Sequence, residues 1–231
     1  MKASNFQQYR TIVAQGLRGE LSDKERVASP ILFALTILLI FNFAMGEIDS
    51  AYRVELFVAQ AFFTALMALQ ICFSRVFETD RNDRVFDMMR VYPVSHGAWF
   101  FAKYTLVLVT GALILVPTIL LAGFFHQTAK QSFVDPFVIG VALLALAGLA
   151  AIGVLLSAMT LKAGARQILY PLLYFPLTVP VLLGAVQCCL LHFDQTDRSE
   201  SINSWLALLG CFDVIYLTLG YLLFGELIDD S

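Results

Sequence analysis

Six long apolar stretches, each nearly free of charge, limit what this chain can fold into more than any other feature. They run from about Pro30 to Gly46, Leu56 to Phe77, Ala98 to Phe125, Val134 to Met159, Ile168 to Leu191 and Ser204 to Phe224. A helix needs around twenty apolar residues to cross about 30 Å of hydrocarbon. In that medium an unpaired backbone group is too costly to leave, so each stretch must close its own hydrogen bonds as a helix. The chain is 59% hydrophobic and 14% charged over 231 residues, whereas a soluble domain is about half apolar and about a quarter charged. No soluble core absorbs that surplus. The expected fold is all-α and integral to the membrane, with a transmembrane domain over 29–226, residues 1–28 ahead of it and a short tail over 227–231.

Ahead of the first span, Phe6, Tyr9, Ile12, Val13, Leu17 and Leu21 recur at helical spacing among polar residues. Such a pattern predicts an amphipathic helix lying in the membrane interface. Residues 1–28 carry Arg10, Arg18, Glu20, Asp23, Glu25 and Arg26 with no apolar h-region, so this start is expected to be kept rather than cleaved as a signal. Orientation follows from the basic residues. With the N-terminus cytoplasmic, only Arg53, Lys130 and Arg198 of the 15 Lys and Arg fall on the far side, and an even number of spans returns the C-terminus to the cytoplasm. Cys72, Cys188, Cys189 and Cys211 sit in or beside apolar runs without a CxxC pair, which reads as small hydrophobes and not as a metal or haem attachment site.

The most charged connection joins the second and third spans, over about 75–97, and it reads SRVFETDRNDRVFDMMRVYPVSHGAWFFAK from Ser74. Val85, Phe86, Met88 and Met89 lie among Asp80, Arg81, Asp83, Arg84, Asp87 and Arg90, as in a short helix that touches both the membrane and a soluble partner. Pro93 would end that helix. Here the sequence resembles the CcmB family, the membrane subunit of the cytochrome c maturation ABC complex. The family pattern places an arginine and a phenylalanine before FxxDxxDG(S/T)LEQL and a proline soon after. Arg75, Phe77, Asp80, Asp83, Phe86, Asp87 and Pro93 fall in register, with Arg84 where the pattern has glycine and Asp87 where it has glutamate. The segment Pro176, Leu177, Thr178, Val179, Pro180 is similar to the family's PLT(I/V)P, and WLALLGCFDVIYLTLGYLLF is similar to its last span.

The resemblance implies a membrane subunit of ABC-2 exporter architecture, serving haem delivery or export to the periplasm during c-type cytochrome biogenesis. It further implies an ABC ATPase partner, a haem-handling membrane subunit, a periplasmic haem chaperone and a homodimer in the bacterial or organellar inner membrane, with no nucleic acid involved. Haem would be substrate, and no cofactor is expected to be bound directly. ATP would act only through the partner, and the sequence agrees: it has no GxxxxGK(S/T) phosphate loop. Export of another substrate, or a non-conducting scaffold that couples ATP hydrolysis to release of a haem chaperone, are the alternatives. An intramembrane enzyme has little behind it, since HExxH and GxSxG are both absent.

The expected coupling surface is Arg75, Phe77, Asp80, Asp83, Arg84, Phe86, Asp87, Met89, Arg90 and Pro93, with Asp80, Asp83 and Asp87 as its acidic face at helical spacing and His96 nearby. Asp213 is an acid near the middle of a span, where charge costs at least about 2.5 kcal/mol, so it is either functional or bonded to a neighbouring helix. Pro171, Pro176 and Pro180 remove three backbone donors from the fifth span and should kink or break it around Thr178, as a gating or re-entrant element or as a static bend. His126 and His192, at the outer ends of their spans, are weak candidates for haem contact, against the plainer reading of solvated or capping residues. Ala147, Gly148, Ala151 and Gly153 give the fourth span a small-residue face for close packing.

Overall fold

The computed structural model describes residues 5–22, 24–46, 52–78, 80, 95–126, 134–160, 166–194 and 199–229. Among them are seven helices and no strand: α1 (Asn5–Ser22), α2 (Lys24–Met45), α3 (Arg53–Phe73), α4 (His96–His126), α5 (Pro136–Met159), α6 (Arg166–Phe193) and α7 (Ser199–Asp229). Helices α2 to α7 are the six that are long and apolar enough to span a membrane.

Burial ranks them. In the most apolar window of α5, 67% of residues are buried, against 17% in α2 and in α7. Helix α5 is therefore the centre of the bundle, packed on α4, α6 and α7, while α2 lies against α3 and α4 at the periphery. Small residues let the backbones approach, as expected of a membrane bundle without a hydrophobic drive between helices. At Gly153 an added Cβ would run into the Phe73 ring, and at Gly111 it would clash with Leu146 and crowd the same ring. Polar side chains inside the spans mostly satisfy themselves along their own helix. The hydroxyls of Thr110, Thr118 and Thr160 donate to the carbonyls of Leu106, Ile114 and Leu156 at 2.9, 2.7 and 2.8 Å.

The helix ends have local causes. Helix α2 stops at Gly46, whose φ of 60° is left-handed and suits glycine. Helix α5 starts where Asp135 caps it, its carboxylate accepting from the Phe137 N–H at 2.7 Å, with Pro136 in the first turn. Helix α1 is amphipathic and lies on α4. Tyr9 and Thr105 share a hydroxyl hydrogen bond of 3.0 Å, Gln8 accepts from the Ser95 N–H at 3.1 Å, and Gly16 is so close to Leu106 that a Cβ would clash.

Two expectations change. The fifth span is not broken: Pro171, Pro176 and Pro180 all lie inside the single helix α6, so a re-entrant element is absent there. Membrane helices tolerate such prolines because hydroxyls and neighbouring helices supply other partners for backbone carbonyls. The carbonyls that lose their donors are those of Gln167, Leu172 and Pro176; beside them the Thr178 hydroxyl turns back to the Phe175 carbonyl at 2.9 Å, and the Tyr216 hydroxyl of α7 ties α6 to α7 at the Leu177 carbonyl, also at 2.9 Å. His96 belongs to α4 as its first residue and not to the preceding connection.

Candidate functional site

Three places in the bundle gather the chemistry: the end where α3 turns toward α4, the middle of α7, and the opposite end.

At the first, the chain leaves α3 through turns over residues 74–77. Arg75 is exposed, whereas Phe77 is fully buried. The Phe77 ring meets Trp99 edge-on at 5.9 Å and Phe224 at 6.0 Å, and Trp99 meets Phe224 at 5.6 Å. This cluster ties the segment after α3 to the start of α4 and the end of α7. Beside it, the Lys103 ammonium lies 2.5 Å from the Asp80 carboxylate and 5.4 Å from the centre of the Phe77 ring. Both side chains are nearly buried, at 10% and 13% exposure, so the pair is screened by little solvent and breaking it strands a charge. A second pair, Arg26 to Glu20 at 2.8 Å, joins the start of α2 to the end of α1. Asp83, Arg84, Phe86, Asp87, Met89, Arg90 and Pro93 lie outside the described residues.

In the middle, Asp213 faces α5 rather than lipid. Its carboxylate packs so closely on Gly148 that a Cβ there would have to displace it, and neither oxygen has a hydrogen-bond partner among the described residues. The nearby Tyr104 hydroxyl donates to the Ala147 carbonyl at 3.3 Å. The small-residue face of α5 thus makes room for an acid from α7. Pro176, Thr178 and Pro180 sit on α6, with Thr178 buried and Pro176 exposed.

At the opposite end both histidines appear, linked by rings. Phe57 touches His126 at 5.9 Å and Phe193 at 6.1 Å, and Phe193 touches His192 at 5.4 Å. Their chemistry differs. His192 Nε2 lies 3.1 Å from the Asp135 carboxylate and its ring stacks on Phe137 at 4.2 Å. Partial burial pushes the Asp135 carboxyl upward, but the hydrogen bonds from the Phe137 N–H and His192 outweigh it and hold the group below its ordinary value. His126 is buried, and its Nδ1 lies 3.0 Å from the Ala122 carbonyl. The other ring nitrogen, Nε2, is buried without a partner among the described residues. His126 is one of the residues around a cavity of about 390 Å³, with Asn42, Met45, Arg53, Gln60 and Phe125.

Sequence reasoning singled out the two histidines, Asp213 and Asp80, but missed Lys103 as the partner of Asp80 and missed the wall formed by Asn42, Arg53 and Gln60. A signal existed for one of them: Gln60 is one of two amides, with Gln70, in an otherwise apolar span, and each asks for a partner. Among the described residues no group of three or more His, Cys, Asp or Glu could hold a metal ion.

A protein-family model described as CcmB protein matches residues 7–228. No curated protein matches the chain.

Proposed function

Because this chain belongs to the CcmB family, membrane components of the cytochrome c maturation ABC system, we propose that it is the subunit through which a separate ATPase drives haem delivery for c-type cytochromes. The observation that carries this reading is the extent of the match, which takes in α1, all six spans and the connection after α3 together. The chain is a multi-pass inner-membrane protein. It works beside an ATPase, with a haem-handling subunit, a periplasmic haem chaperone and a second copy of itself completing the complex.

The loop end is the ATPase side in this reading, since the basic residues concentrate there and the positive-inside rule then puts both termini in the cytoplasm. A push on the connection over 75–97 enters the membrane through rigid parts. Phe77, Trp99 and Phe224 bind its base to α4 and α7, and the Lys103 to Asp80 pair pins it to the second turn of α4. Helix α1 rides on the same stretch of α4 through Tyr9 and Thr105. Movement of the partner is therefore delivered to α4 as a rigid body and passed to the central helix α5, the shear-type displacement that packed helices support.

The test is genetic complementation. In a host whose own copy is deleted, this chain restores haem-stained c-type cytochromes, and a cytochrome pattern that deletion leaves intact would overturn the reading.

A further inference from the structure

A small cleft opens at the loop end, where α1, α2, α3 and α4 meet. Its charged lining is Glu20 near the end of α1, Arg26 in the first turn of α2, Arg75 just past α3 and Lys103 in the second turn of α4. All four stand near helix ends, the level at which the headgroups of a bilayer lie. Ile71 and Leu106, a turn deeper along α3 and α4, add apolar surface. The cleft holds about 30 Å³. That is room for about two waters, or for two oxygens of one phosphate group, and for nothing the size of a nucleotide base or a macrocycle.

The charges around it do not cancel. Arg26 pairs with Glu20 at 2.8 Å and Lys103 with Asp80 at 2.5 Å, so both carboxylates are engaged. Arg75 is exposed, and its guanidinium has no partner among the described residues. Three cations against two carboxylates leave one positive charge. A phosphodiester carries one negative charge and two free oxygens, and a guanidinium matches those oxygens in charge and in geometry. A choline or ethanolamine headgroup would add a second positive charge where no carboxylate is left to meet it.

We propose that this cleft binds the phosphate of one anionic phospholipid of the surrounding bilayer, held by Arg75 with Arg26 and Lys103 beside it. Basic pockets between spans at the cytoplasmic face take anionic headgroups in this way. The inference uses the orientation given above and does not depend on the haem reading. A lipid is favoured over a free phosphate by the surface that leads away from the cleft. Phe33 lies two turns from Arg26 on the same face of α2 and is 41% exposed, so acyl chains from a phosphate held here run along an apolar track. The consequence is mechanical. Only 17% of the apolar window of α2 is buried, and a phosphate shared by Arg26, Arg75 and Lys103 ties its start to the end of α3 and to α4.

The experiment is native mass spectrometry of the purified full chain in a neutral detergent, titrated with phosphatidylglycerol. Wild type retains one molecule per chain saturably, phosphatidylcholine at the same concentration is not retained, and excess inorganic phosphate does not displace the bound lipid. Arg75→Gln weakens retention about fivefold, the size of one basic residue's pull on an anionic lipid, and Arg75→Lys, which keeps the charge, restores it. Both variants fold, because Arg75 is exposed and braces nothing among the described residues. Arg18→Gln removes an exposed basic residue of α1 outside the cleft and leaves retention unchanged. Retention that is the same in Arg75→Gln as in wild type overturns the site, and so does an equal loss in Arg18→Gln, the mark of diffuse attraction to a basic surface. Equal retention of phosphatidylcholine, or release of the lipid by inorganic phosphate, overturns the lipid assignment.

Discussion

The two ends of the bundle differ in how they are braced. At the loop end every charge described inside the packing has a partner: Lys103 holds Asp80, Arg26 holds Glu20, and aromatic rings fill the space between α3, α4 and α7. At the opposite end His126 and Gln60, two of the residues around a cavity of about 390 Å³, each keep a buried acceptor without a partner among the described residues. Buried polar groups are normally satisfied, because leaving one bare costs about 1 to 3 kcal/mol. A closed, cross-braced end transmits force. An end that carries unsatisfied groups keeps room for something else. The difference teaches where rigidity is needed, and it predicts that substitutions at the two ends fail in different ways.

The largest effect is expected at the closed end. Phe77→Ala removes a fully buried ring between Trp99 and Phe224 and should lower stability by about 4 kcal/mol, read as loss of folded protein in thermal unfolding in detergent. Next comes Asp80→Ala, which leaves Lys103 buried and alone, at a cost of about 3 kcal/mol. The double variant Asp80→Ala with Lys103→Met should recover most of that loss, and a double variant as unstable as the single one would mean that the pair does not brace this end.

At the open end the effects on stability are smaller. Asp135→Ala removes the α5 cap and the His192 contact and should cost about 1 kcal/mol. Because the Asp135 carboxyl is held below its ordinary value of 3.8, its contribution is full above that value and is lost as pH falls through its lowered folded value. The difference in melting temperature between wild type and Asp135→Ala is therefore predicted to be constant near neutrality and to shrink only below about pH 4. A difference that changes between pH 6 and 8 would contradict the assignment to Asp135. The smallest effect belongs to the middle, which neither end controls. Asp213→Asn keeps the shape against Gly148 and should change stability by less than about 1 kcal/mol and leave cytochrome maturation intact. Loss of maturation at normal protein abundance would give Asp213 a titrating role instead.

Much of this fold is written in the sequence because hydrocarbon imposes one rule, length of apolar run, that a single sequence displays. All six spans were placed, and the amphipathic pattern around Phe6 and Tyr9 does form α1. Boundaries moved where polar residues continue a helix past the hydrocarbon, as Lys24 and Glu25 do at the start of α2. The prolines of α6 misled in a physical way: each removes one donor, but the helix runs on through all three, held to α7 by the Tyr216 hydroxyl on the Leu177 carbonyl. The candidate sites were less legible. Asp80 belongs by spacing to an acidic face, yet its carboxylate turns to Lys103, a partner more than twenty residues away that no periodicity announces. The cavity draws Asn42, Gln60 and His126 from three helices, so no one segment carries its pattern. Likewise, the two histidines look alike in sequence and differ only in what their ring nitrogens meet.

The most direct test of the account is site-specific photo-crosslinking in the membrane complex, with the crosslinking residue at position 84 in the loop or at position 53 beside the cavity. The account predicts that position 84 captures an ATPase subunit and position 53 does not. Capture of the ATPase from position 53, or from neither position while the chain is abundant and folded, would contradict it.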